Sequence, residues 1–86
     1  MEKVIIDVRE PFEFKMGHAK GAINIPPAKL MRGEPDELAG LSRDTPLILY
    51  CKSGSRSNAS MPYFRAMGFT DITNGINADQ VRQRYL

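Results

Sequence analysis

One short stretch constrains this chain more than any other. Leu47-Ile-Leu-Tyr50 is apolar at every position, with Pro46 just before it and a Ser- and Gly-rich loop just after. A strand with one wet face alternates apolar and polar residues. A strand without polar positions is covered on both faces, as in the middle of a parallel sheet. Helices must supply both covers, so the run predicts an α/β fold, three layers deep, with a central and mainly parallel sheet. At 86 residues the chain has room for one core, and a single domain over residues 1–86 is expected.

The flanking segments fit that scheme. Residues 3–8 are β-branched and apolar and read as a buried strand. Pro11 suits the first position of a helix, where its missing N–H costs nothing. Gly17 and Gly21 bracket a loop holding His18. Residues 22–25 read as a second strand, stopped by Pro26-Pro27. Residues 28–32 suggest a helical turn ending at Gly33, and residues 34–40 another. After the run at 47–50 comes a loop over 51–57, then a helix to Met67 with Gly68 as its cap. Residues 69–73 read as the last strand. Asn77-x-x-Gln80 resembles a capping box opening a helix with Val81 and Tyr85 on one face.

Cysteine and histidine counts narrow the chemistry. A single cysteine, Cys51, excludes an internal disulfide and any zinc site of several thiolates; a single histidine, His18, argues against a His-rich metal site. Neither kind of metal site is expected. A net charge of +2 is too mild to argue for nucleic acid, and no apolar run approaches a membrane span. The opening lacks a signal-peptide core, which reads as cytoplasmic, with the periplasm open if a leader was removed. Nothing in the sequence requires a dimer, so a monomer is expected.

Cys51-Lys-Ser-Gly-Ser-Arg-Ser57 carries the chemistry. In open α/β sheets ligands bind beyond the carboxyl ends of strands, and this loop lies there. Successive backbone N–H groups can converge on an anion. A following helix adds partial positive charge, and Lys52 and Arg56 add two full ones. Gly54 permits backbone that a side chain would obstruct. All four features favour thiolate over thiol and would also hold an anionic substrate. The plainer reading, a buried core cysteine, leaves the flanking Lys, Gly and Arg without a purpose.

Three stretches in this order resemble the rhodanese family of sulfurtransferases. Ile6-Asp-Val-Arg-Glu-Pro-Phe-Glu-Phe14 looks like the D-V-R-x-x-x-E-[FY] opening of the family. Gly17-His-Ala-Lys-Gly-Ala-Ile-Asn-Ile-Pro26 looks like its G-H-[IV]-x-G-A-x-N-[IV]-P segment. Tyr50-Cys-Lys-Ser-Gly-Ser-Arg-Ser57 looks like its Y-C-x-x-G-x-R-S loop. The chain resembles the compact single-domain branch of the family, which includes phage-shock-type members.

The resemblance implies a rhodanese-like fold and a persulfide relay without cofactor. Cys51 would take a sulfur from thiosulfate, releasing sulfite, and pass it to a thiophilic acceptor such as cyanide or a thiol. Lys52, Ser53, Gly54, Ser55, Arg56 and Ser57 would bind the anionic donor and the persulfide. Two rival readings are a sulfur carrier that serves a partner protein, with little thiosulfate activity of its own, and an idle interaction domain. Intact Cys51, Gly54 and Arg56 speak against the idle domain. Related phosphatases space cysteine and arginine as C-x5-R; here the spacing is the shorter C-x4-R.

Asp7 and Arg9 read as an ion pair bracing the site, with a substrate contact by Arg9 as the lesser alternative. His18 invites a Cys–His dyad, but the family pattern makes it a structural brace. Glu13 reads as a structural partner rather than a general base. Met61, Tyr63, Phe64 and Met67 fit core packing, and Met16 and Met31 are candidates for the mouth of the site.

Two features depart from the family. Pro62 falls where a helix is expected, so the helix either kinks or begins near Ser60, the second of which would carry its dipole away from Cys51. The C-terminal segment has Asn74-Gly-Ile-Asn-Ala78 where the family often has a glycine pair followed by tryptophan.

Overall fold

The computed structural model describes residues 2–86. Four strands, β1 (Val4–Asp7), β2 (Ile23–Asn24), β3 (Leu47–Cys51) and β4 (Ile72–Asn77), form one sheet. Its order is β2-β1-β3-β4, and every pairing is parallel. The apolar run lies in β3, an inner strand whose five residues are all buried. Its coverage on both faces is the physical reason it contains no polar position.

Side chains alternate along β3 and build two cores. Leu47, Leu49 and Cys51 pack with Ile6, Leu30, Leu38, Phe64 and Phe69. Ile48 and Tyr50 pack with Ile5, Ala19, Ala22 and Val81. The first core is covered by α2 (Pro27–Leu30), a 3-10 turn (Asp36–Leu38) and α3 (Ser55–Ala66). The second is covered by α4 (Ala78–Tyr85), with Phe14 of α1 (Pro11–Lys15) packed at its edge. Three layers result, as predicted.

Several boundaries differ from the sequence reading. The second strand contributes only two residues to the ladder. The helix after the loop begins at Ser55 and runs through Pro62 to Ala66, so the late start near Ser60 does not occur. Pro62 is tolerated on an exposed face, where its missing N–H leaves the Asn58 carbonyl without its helical partner.

The last strand begins at Ile72, three residues after the expected start. Phe69 turns into the core, and Thr70 N–H donates to the Arg43 carbonyl at 3.1 Å. That segment is thus tied to the preceding turn, and pairing starts only where Leu47 faces Ile72. The predicted cap at Asn77 is present: its side chain accepts from Gln80 N–H at 2.9 Å.

A bulge interrupts the β3–β4 ladder. Leu49 faces Asn74 and Tyr50 faces Ile76, so Gly75 is the extra residue. A Cβ at Gly75 would lie 2.7 Å from a Val81 methyl, 3.0 Å from an Ile48 methyl and 3.1 Å from the Leu49 carbonyl. Only glycine lets α4 seat against the sheet at this point.

Candidate active site

Cys51 closes β3, on the face that carries α3, and is 2 % exposed. The chain then turns sharply. Gly54 adopts φ +93°, a left-handed conformation that side chains disfavour, and a Cβ there would meet an Ile76 methyl at 3.2 Å. The turn aims the Gly54 N–H at the Cys51 sulfur, at 3.1 Å. Helix α3 starts at the next residue, and its Ser57 hydroxyl lies 3.5 Å from the same sulfur.

Two effects compete at the thiol. Burial pushes its pKa up, since a thiolate is poorly solvated there. Against that, the backbone N–H groups of Ser57, Ser53 and Gly54 favour the anion, the Ser57 hydroxyl lies within reach of the sulfur, and the thiol sits below its ordinary value, at about 7. A substantial thiolate fraction at neutral pH follows, which a structural core cysteine does not have.

The two cations of the loop differ. Arg56 is not a free charge: it grips Glu13 of α1 with two hydrogen bonds, of 2.6 and 3.1 Å. Pairing with Arg56 holds the Glu13 carboxyl down at about 2, helped by the Glu10 N–H. Arg56 thus reaches the site already paired: Glu13 offsets part of its charge, its field still acts on Cys51, and the fork fixes α1 against the first turn of α3. Lys52 is exposed and, among the described residues, makes no ion pair. Ser53 and Ser55 are exposed, with their hydroxyls 3.3 Å apart.

Asp7, Arg9 and His18 form a different assembly. Asp7 is fully buried and accepts from the Arg9 guanidinium at 2.7 Å. The same guanidinium reaches the Gly17 carbonyl at 2.7 Å and lies 5.6 Å from the centre of the Tyr50 ring. The pair thus ties the His18 loop to the residue preceding Cys51, without a hydrogen bond to the loop over 51–57 among the described residues. The His18 ring stacks on Phe14 at 3.7 Å, with Nδ1 at 2.8 Å from the Phe14 carbonyl. The hydrogen bonds of the Cys51 sulfur run instead to Gly54 and Ser57.

Sequence reasoning missed Asn74. Its amide oxygen takes the Ser57 hydroxyl at 2.6 Å and the Ile76 N–H at 3.0 Å, while its amide nitrogen donates to the Gly54 carbonyl at 3.0 Å. The bond to Ile76 supports that residue at φ +75°, a strained conformation for a β-branched side chain. The departure from the glycine pair was the available signal, but nothing in the linear chain tells that position 74 faces Ser57.

Among the described residues no three His, Cys, Asp or Glu side chains converge as a metal site requires, and no helix is long and apolar enough to cross a membrane.

Comparison with known proteins gives a consistent picture. Residues 1–78 match the family described as Rhodanese-like domain. The chain is 40 % identical over 70 residues to the uncharacterized protein YqhL of Bacillus subtilis, covering 81 % of this chain and 52 % of that one. It is 31 % identical over 68 residues to the thiosulfate sulfurtransferase GlpE of Pseudomonas aeruginosa, covering 79 % of this chain and 58 % of that one. The chain thus spans a little over half the length of these relatives. A solved structure described as a rhodanese with anions from E. coli superimposes with a TM-score of 0.77 at 29 % identity, covering 93 % of this chain and 91 % of that one.

Proposed function

The chain belongs to the rhodanese family, and on that premise we propose that it transfers a sulfane sulfur from thiosulfate, or another persulfide donor, to a thiophilic acceptor through Cys51. One observation carries the reading: a lone thiol at the end of β3 receives the Gly54 N–H at 3.1 Å in a loop that favours its anion. A relative named as a thiosulfate sulfurtransferase supports thiosulfate as the donor in this reading.

The chemistry then runs in two displacements. The Cys51 thiolate attacks the outer sulfur of thiosulfate. The new S–S bond forms as the old one breaks, and sulfite leaves with the bonding pair. The loop N–H groups that favour the thiolate serve the persulfide anion as well, acting as an oxyanion hole acts on oxygen. An acceptor such as cyanide then attacks the outer sulfur, giving thiocyanate and restoring the thiolate. No proton need be removed by a base in either step, which suits a site where His18 does not touch the sulfur. Ping-pong kinetics are expected. Lys52, the unpaired cation of the loop, would draw the donor dianion in.

The test is the mass of the intact protein after incubation with thiosulfate. A gain of one sulfur, about 32 Da, is expected, and none in Cys51→Ala. Absence of the adduct with thiosulfate and with other persulfide donors would reject the proposal. Turnover with cyanide then separates a free-standing enzyme from a module that delivers sulfur to a partner protein.

A further inference from the structure

We propose that Asn74 is a positioning residue that withholds the Ser57 proton from the Cys51 sulfur, and so sets how readily the nucleophile ionises. The inference rests on the reading of Cys51 as the nucleophile.

The argument is a count of protons. A serine hydroxyl has one hydrogen to donate and two lone pairs. Three groups surround the Ser57 hydroxyl: the Asn74 amide oxygen at 2.6 Å, the Gly54 carbonyl at 3.1 Å and the Cys51 sulfur at 3.5 Å. The first two only accept. The orientation of the Asn74 amide is fixed from two sides, because its nitrogen meets the Gly54 carbonyl and its oxygen meets the Ile76 N–H. A flipped amide would set oxygen against oxygen and N–H against N–H. Asn74 therefore presents an acceptor to Ser57, at the shortest of the three distances.

With its proton on Asn74, Ser57 turns lone pairs toward Cys51. It then accepts from the thiol and gives nothing to the thiolate. The backbone N–H groups are left to stabilise the anion, while the Ser57 contribution is held in reserve. The Gly54 carbonyl does not need the serine, since the Asn58 N–H already reaches it at 3.0 Å. Of the charged groups, Arg56 of α3 acts on Cys51 and is itself offset by Glu13 of α1; Lys52 is the other cation of the loop, exposed, and β4 contributes no charge at Asn74 or Ile76.

The proposal is tested by alkylation of Cys51 with iodoacetamide as a function of pH, which reports the thiolate whether or not sulfur is transferred. Asn74→Ala and Asn74→Gly free the Ser57 proton, and the midpoint is expected to fall by about 0.5–1 pH unit, the worth of one hydrogen bond. Ser57→Ala alone is expected to leave the midpoint within about 0.3 unit of the parent, and Asn74→Ala added to it is expected to cause no further fall. An unchanged or raised midpoint in the folded Asn74 variants would overturn the proposal, as would the same fall in the Ser57→Ala background. Should both Asn74 variants fail to fold, Ser57→Ala decides: a rise of about one unit would mean that Ser57 already donates to the thiolate. A missing sulfur adduct with these alkylation results intact would reject the transfer reaction and leave the role of Asn74 standing.

Discussion

Both carboxylate oxygens of Glu13 meet the Arg56 guanidinium, at 2.6 and 3.1 Å. This fork joins residues 43 positions apart in the chain and fixes the start of α3 beside α1. Charge-assisted, two-point pairs of this kind supply geometry as well as attraction. The loop that ends in Arg56 is therefore held in place by its arginine, while Lys52 makes no ion pair among the described residues.

Lys52→Glu follows from that division. The variant should lower kcat/KM for thiosulfate about tenfold at low salt, through a slower encounter with the dianion. The gap should narrow toward physiological ionic strength, where the screening length is about 8 Å. Steady-state rates across a salt series check both parts; a defect that ignores salt would count against steering.

Glu13 gives a prediction in pH. Its folded pKa of about 2 lies below its ordinary value of 4.5, so the folded state holds fewer protons between these values. The stabilisation is complete above about 4.5 and is lost as the pH falls toward 2. Glu13→Gln cannot gain that proton, so its stability should decline less over this window. Urea unfolding at pH 5 and pH 3, for parent and variant, measures the difference.

Pro62→Ala restores a backbone donor for the Asn58 carbonyl in a helix that already runs from Ser55 to Ala66. Stability should rise by about 1–3 kcal/mol, the interior cost of proline less the entropy it removes from the unfolded chain. The alkylation midpoint of Cys51 should not move, because the start of α3 does not depend on residue 62. Denaturant melts and alkylation profiles of the same variant report the two outcomes separately.

Gly75→Ala should be the most damaging of these changes. Its Cβ would enter a space closed by Val81, Ile48 and the Leu49 carbonyl, with a nearest approach of 2.7 Å. Neither short β-branched side chain can swing away, so α4 must lift from the sheet. A loss of about 1–3 kcal/mol is expected. A thermal melt matching the parent would show that α4 can shift without cost.

Local pattern determined much of this protein. The unbroken apolar run at 47–50 required cover on two faces, and a sheet with helices on both sides follows from that alone. The placement of Cys51 at a strand end, the turn at Gly54 and the Asn77 cap were equally legible, because each depends on residues a few positions apart. Pairing across the fold was not. That Glu13 offsets Arg56, that Asp7 and Arg9 brace the Gly17 carbonyl and Tyr50, and that Asn74 reaches Ser57 depend on which elements the sheet sets side by side. The true start of β4 depended on Thr70 binding Arg43, and the bulge at Gly75 on how α4 seats. Sequence periodicity reports which face of an element is buried; only the packed structure decides what that face meets, and at Cys51 those meetings govern where a single proton goes.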